Sequence, residues 1–291
     1  MRKHKKQLKP IDTPNYRYWN ALYLSFYSKN LYVDVGKRWR GFGLAYLLLV
    51  ISLFSIPLAV KLGFIFNQTL EDQMMEPLRK VPLLYIQKGR LSFDEPMPYM
   101  IKNKQGQIVL IIDTTGKVNQ IDNLYPNLNI LINKEKIYFK MLTPVFFNST
   151  NTIQSQGIPL EQSFDKNVSM VFDGKKIVTD KSILALKYIS ACLIYPIVVA
   201  VLFGIFFSMM LVIALLGQLF ASVFFSFRIT YKVACRLLTV SSTPMFLFLI
   251  GTLTLDLMFA WTGVILIVLM LIYYSLALSF LKAESRKVVS Q

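Results

Sequence analysis

One histidine and two cysteines in 291 residues leave little material for metal or disulfide chemistry. Structural metal sites and disulfide frameworks need several His or Cys at short, recurring spacings. His4, Cys192 and Cys235 stand far apart, and the polar middle of the chain has neither residue type. Both cysteines fall in or beside apolar segments, where a thiol serves as a small hydrophobe. No Walker loop, HExxH, GxSxG or paired-carboxylate arrangement occurs, so no catalytic set, metal or cofactor is expected. Acid is scarce too: 16 Asp and Glu face 32 Lys and Arg, a formal charge of +16.

Charge of either sign is missing altogether from three long blocks. Phe42–Val60 is nineteen residues without a charge, Tyr188–Phe227 is forty, and Leu237–Leu281 is forty-five, broken only by Asp256. About 20 apolar residues suffice to cross roughly 30 Å of hydrocarbon, so the expected class is an integral membrane α-helical protein. The bases cluster beside these blocks. Residues 1–41 carry ten Lys and Arg against Asp12 and Asp34, whereas 67–182 carry fourteen bases and twelve acids. Lys37, Arg38 and Arg40 precede the first block, Arg228, Lys232 and Arg236 separate the second from the third, and Lys282, Arg286 and Lys287 follow it. This is the positive-inside pattern. It predicts cytoplasmic termini in an inner or plasma membrane, with Lys37, Arg38, Arg40, Arg228, Lys232 and Arg236 touching anionic lipid or a partner. Nucleic acid, suggested by the charge and by the opening MRKHKK, is the weaker partner; a membrane protein or a second copy is the stronger.

Five segments are expected. Residues 1–41 form a basic cytoplasmic N-terminus in which Tyr16, Trp19, Tyr23 and Phe26 recur at helical spacing. That helix either lies in the headgroup region or packs on the protein's own cytoplasmic loops. Residues 42–66 are the first transmembrane helix; the long basic lead and the absence of a small-residue cleavage site argue against a cleaved signal peptide. Lys61, near its outer end, reads as a snorkelling side chain. Residues 67–182 form an extracytoplasmic, mainly β domain entered by a helical stem. Its hairpin signals are PYMIKN and QIVLIID around Lys-Gln-Gly, NILIN and KIYFKM around Lys134–Glu135, and Asp173-Gly174 as a tight turn between strands. Residues 183–281 are a helical membrane domain and 282–291 a cytoplasmic tail.

Four spans are favoured, with Gln218–Leu238 amphipathic at the inner surface and the last two spans at about Ser241–Met258 and Ala260–Leu281. Five spans, with a turn at Gly217–Gln218, are the alternative. Asp256 is an acid inside an apolar region, a default functional hypothesis for proton or cation coupling. In the four-span layout it falls near a wet outer loop instead. Pro57, Pro196 and Pro244 lie in or at the ends of spans; Pro244 follows Ser241-Ser242-Thr243, whose hydroxyls can satisfy the carbonyl that proline frees. Asp113–Lys117, DTTGK, resembles the loop phosphorylated in ATP-driven pumps, but Thr114 stands where that loop has lysine. Asp and Gly there read as turn chemistry. Asn67, Asn148 and Asn167 open N-x-S/T triplets, which matter only in a glycosylating host.

Three stretches carry a resemblance: SFYSKNLYVDVGKRWRGFGLAYLLL (Ser25–Leu49), PYMIKN with IIDTTGK, and YKVACRLLTVSSTP (Tyr231–Pro244). Together they resemble an uncharacterised bacterial inner-membrane family that includes the maltodextrin-utilisation membrane protein of maltose operons. The last stretch is similar, more weakly, to Yip-type membrane proteins. The resemblance implies an inner-membrane location and an association with sugar uptake, and it transfers no catalytic residue. The expected function is a non-enzymatic membrane accessory or scaffold protein with an extracytoplasmic ligand- or partner-binding domain. A small transporter or permease component using Asp256 and Pro244 is the alternative. A membrane enzyme acting on lipid or glycan comes third.

Overall fold

The computed structural model describes residues 13–122, 124–140, 159–167 and 169–289. The MRKHKK segment and Asn148 lie outside them. The chain divides into a helical unit, Met1–Lys61 with Tyr195–Gln291, and a second unit, Leu62–Ile194.

The helical unit opens with α1 (Tyr18–Leu24) and α2 (Lys29–Lys37) in place of one continuous aromatic helix. Ser28 breaks the run and caps α2, its hydroxyl accepting from the Leu31 amide at 3.4 Å. Leu31, Tyr32 and Val35 are buried, and α2 packs on two later helices, α8 and α10. The aromatic segment itself is α1, which buries Ala21 and leaves Trp19 and Tyr23 exposed.

Next come α3 (Leu44–Phe54) and α4 (Ile56–Leu70), bent by 48°. Pro57 lacks the N–H that would bond the Leu53 carbonyl, which places the break at Ser55. A single helix, α7 (Lys181–Phe225), begins inside the second unit and continues as part of the helical one. At 1.5 Å per residue it runs about 68 Å, well beyond the hydrocarbon thickness. It passes unbroken through Pro196 and through Gly217–Gln218. The five-span turn and the separate amphipathic stretch from Gln218 are thus both replaced by helix. The chain instead turns at 226–230, where the Gln218 amide donates to the Ile229 carbonyl at 3.0 Å. Then come α8 (Tyr231–Ser241), α9 (Thr243–Thr254), bent 45° from it, and α10 (Thr262–Val289). α10 continues beyond Leu281, so the tail is helical as far as Val289.

Two helices, α7 and α10, are long and apolar enough to cross a membrane. The count among described residues rises to four if each bent pair, α3–α4 and α8–α9, is one span.

The second unit begins within α4 and continues through one π-helical turn, Glu71–Met75, and α5 (Glu76–Arg79). Strands β1 (Leu84–Gln87) and β2 (Arg90–Ser92) form a hairpin that the sequence reading missed. β8 (Met170–Phe172) completes a three-stranded antiparallel sheet ordered β2-β1-β8. The second sheet runs β3 (Tyr99–Lys102), β4 (Ile108–Asp113), β5 (Ile130–Asn133), β6 (Lys136–Lys140) and β7 (Pro159–Ser163). Both expected hairpins, β3–β4 and β5–β6, are present. β4 and β5 pair in parallel, so the sheet is mixed. Strand alternation explains the burial: Leu110, Ile112, Ile130 and Ile132 join one core with Leu84, Ile86 and Val178, while Ile111 and Leu131 face a smaller cluster around Leu128.

Asp173-Gly174 does not turn between strands. Asp173 caps α6 (Gly174–Thr179), accepting from the Lys175 amide at 3.0 Å and the Lys176 amide at 3.3 Å. A Cβ on Gly174 would stand 1.9 Å from the Leu78 carbonyl oxygen. Asp therefore serves as a helix cap and Gly permits close approach to α5, two jobs that share the sequence signature of a tight turn.

Candidate functional site

The helical unit has two unlike ends. At one end α2, the start of α3, α8 and the last turns of α10 meet. Gly36 abuts Leu281, the Phe42 ring stands 6.3 Å from that of Tyr231, and Lys282 donates to the Phe225 carbonyl at the end of α7. Lys37, Arg38, Arg40, Arg228, Lys232 and Arg236 all sit at this end, in four different situations.

Lys37, Arg40 and Arg228 are exposed. Arg38 is held by buried Asp34 at 3.2 Å, and Asp34 also accepts the backbone amides of Asn15 and Tyr16 at 3.0–3.1 Å. Lys232 is exposed but lies over the Phe42 ring, 5.8 Å from its centre. Arg236 is buried, at 9% exposure. Its Nη2 donates to the Gly36 carbonyl at 3.3 Å, while its Nε is enclosed without an acceptor. The four-residue spacing of Arg228, Lys232 and Arg236 is visible in the sequence. The burial of the last is not, because its cover comes from a segment 200 positions earlier.

At the opposite end Asp256, after α9, is 75% exposed at its side chain and pairs with Lys61 at 2.6 Å. Lys61 also donates to the Leu253 carbonyl at 3.1 Å, so it closes the C-terminus of α9. Asp256 thus occupies the expected connecting loop, and the lysine read as snorkelling is its partner. The pairing needs two segments nearly two hundred positions apart, which no local pattern signals.

Between the ends lies the α8–α9 break. Ser241, Ser242, Thr243 and Pro244 are fully buried or nearly so. Ser241 and Ser242 donate to the Leu238 carbonyl at 3.1 and 2.7 Å. Thr243 donates to the Val240 carbonyl at 2.8 Å, the group that Pro244 would otherwise leave unpaired. With the threonine proton so committed, the Tyr46 hydroxyl donates to Thr243 Oγ1 at 2.8 Å. The break is closed on itself by hydrogen bonds.

In the second unit, the side chain of Lys104 lies 3.1 Å from Asp72 and 3.2 Å from Glu76, and these hydrogen-bonded acids raise its pKa. Glu71 receives Arg79 at 2.7 Å and Lys187 at 3.3 Å. The DTTGK segment is a closed turn. Asp113 accepts from the Thr115 amide at 2.8 Å, the Thr115 hydroxyl at 2.6 Å and the Val118 amide at 2.6 Å. Burial by itself would raise the Asp113 pKa, but these donors outweigh it and hold the carboxyl below its ordinary value. Its lone pairs are engaged, as a turn requires. Among the described residues no three His, Cys, Asp or Glu are grouped so as to hold a metal ion.

A helical unit with two to four candidate membrane spans and a separate β-sheet unit define the class. Residues 19–278 match the family described as "Protein of unknown function (DUF1189)", and the chain belongs to that family. No curated protein and no solved structure matches the chain.

Proposed function

We propose that the chain is a non-enzymatic, multi-pass accessory or scaffold protein of the bacterial inner membrane. Its basic end is cytoplasmic, and its β-sheet unit is extracytoplasmic, binding a ligand or a membrane-protein partner. The observation that carries this reading is the contrast between the ends of the helical unit. One end gathers Lys37, Arg38, Arg40, Arg228, Lys232, Arg236 and Lys282; the other offers Lys61 and Asp256, paired to each other. Basic residues beside spans are retained on the cytoplasmic side, where anionic lipid attracts them at roughly 1 kcal/mol each.

Further support lies in the sheet unit, where β7 is exposed along its whole length. Among the described residues β7 pairs with β6 alone, and such an edge is a ready template for an added strand. The link to solute uptake rests on the resemblance to the family of the maltodextrin-utilisation membrane protein. A transport role would draw on the α8–α9 break, since discontinuous helices mark transporter sites. The closed hydrogen bonding of that break and the pairing of Lys61 with exposed Asp256 favour the accessory role.

The test is purification of the full chain from its native membrane in mild detergent, after brief cross-linking, with identification of co-purifying proteins. A stoichiometric membrane partner that is lost when the β7 segment is substituted supports the accessory role. A chain that purifies alone and drives solute flux in proteoliposomes would replace it with transport.

A further inference from the structure

We propose that the basic end contains a built site for a phosphate group, formed by the uncapped N-terminus of α3 together with Arg236 and Lys232 of α8. Arg236 is the starting point. It is more than nine-tenths buried, and among the described residues no carboxylate pairs with it. Its Nη2 reaches a neutral carbonyl, and its Nε–H has no acceptor. A buried guanidinium without a counter-charge is costly, and truncated or missing partners in such settings cost several kcal/mol. The nearby acid, Asp34, is already committed to Arg38 and to two backbone amides.

The second component is the first turn of α3. Its N-cap is Gly43, at φ +83°, which carries no side-chain acceptor. The first N–H groups of a helix have no partner within it, and they carry the positive end of the helix dipole. A Cβ at Gly43 would lie 3.5 Å from the Arg236 Cα and 3.5 Å from the Thr239 Cβ. The glycine therefore brings this uncapped turn directly against the turn of α8 that carries Arg236. Thr239 does not cap it: its hydroxyl donates to the Cys235 carbonyl, and no side chain caps the start of α3. Lys232 lies one helical turn before Arg236 on the same face of α8 and overhangs Phe42, the residue preceding Gly43.

Backbone N–H groups at a helix start, a planar guanidinium fork and a mobile ammonium form the donor set that a tetrahedral oxyanion satisfies. The phosphate comes from an anionic lipid headgroup or from a soluble phosphate ester, and the two sources are separable. This site sharpens the lipid-contact part of the proposed function without depending on membrane sidedness or on the sheet unit. Its failure would therefore leave the topology and the protein partner untouched.

The experiment uses the full chain, delipidated in a nonionic detergent. Melting temperature and native mass are recorded with phosphatidylglycerol, diacylglycerol, inorganic phosphate or glycerol 3-phosphate. Phosphatidylglycerol should raise the melting temperature and be retained at one per chain, and diacylglycerol should do neither. Arg236→Gln should abolish the shift, and Lys232→Gln should weaken binding about tenfold, the loss of one charge-assisted hydrogen bond. Lys88→Gln with Lys117→Gln, two exposed cations of the sheet unit, should change it less than twofold. A shift reproduced by inorganic phosphate or glycerol 3-phosphate assigns a soluble ligand; a shift confined to phosphatidylglycerol assigns the lipid. If Arg236→Gln does not fold, Lys232→Gln and Arg236→Lys decide the matter. Unchanged affinity in both, an equal shift from diacylglycerol, or no shift from any phosphate compound overturns the site.

Discussion

The two ends of the helical unit use charge in opposite ways. At the α9–α10 connection half-buried Lys61 pairs with exposed Asp256, an arrangement that is neutral overall and closes a helix terminus. At the α2–α8 end the cations outnumber their acids: Asp34 is buried within the fold, and Arg236 is enclosed without a carboxylate. The first arrangement is complete without anything outside the chain. The second leaves positive charge and, among the described residues, an enclosed guanidinium donor without an acceptor, Arg236 Nε, the feature on which the proposed phosphate site rests. Charge matched within the fold marks a structural feature, and charge left over marks a surface for something else.

Disturbing the ends unequally should sharpen this contrast. The largest effect should follow Asp34→Ala, which removes a buried carboxylate serving Arg38 and two amides. A loss of about 3 kcal/mol is expected, read as a lowered unfolding midpoint in detergent. Thr243→Val should follow at about 1–2 kcal/mol, because it leaves the Val240 carbonyl and the Tyr46 hydroxyl without partners in an apolar interior. Restoring much of that loss by the second change Tyr46→Phe would show that the orphaned hydroxyl was the cause. Lys61→Gln should cost less than about 1 kcal/mol, since its partner is exposed and such pairs contribute little. A larger loss there would break the contrast, making the opposite end as dependent on charge as the basic one.

The sheet unit should give the smallest signal, one that fades in acid. Asp113 is held below its ordinary value of 3.8 in the folded chain. Its contribution is therefore present above about pH 4 and is lost as pH falls through the lower folded value. Asp113→Asn should lower the neutral-pH midpoint slightly and flatten this part of the acid unfolding profile, since the contribution it removes is one that acid removes anyway. An unchanged acid profile would remove the turn from the account.

Much of this architecture is legible in the sequence, and what is hidden has a common cause. Charge-free blocks announce the long helices, alternation announces β3 to β6, and Ser-Ser-Thr-Pro announces both a break and its repair. Where α7 ends is not legible, because residues on either side of Gly217 are equally apolar and the stop comes only at Ser226. Asp173-Gly174 misleads because caps and turns draw on the same residue types. The parallel pairing of β4 with β5, the Lys61–Asp256 bond and the burial of Arg236 depend on segments distant in sequence. For the site, the spacing of Arg228, Lys232 and Arg236 is visible, yet only packing divides them into exposed and enclosed cations.

The most direct test of the central claim is the side of the membrane on which each end lies. Single cysteines at Arg40, Arg228 and Leu257, in a chain whose own two cysteines are replaced by serine or alanine, would be exposed to a membrane-impermeant maleimide in intact spheroplasts. The account predicts labelling at position 257 in intact spheroplasts, and labelling at 40 and 228 only after permeabilisation. Labelling of 40 and 228 from outside, with 257 protected, would contradict it.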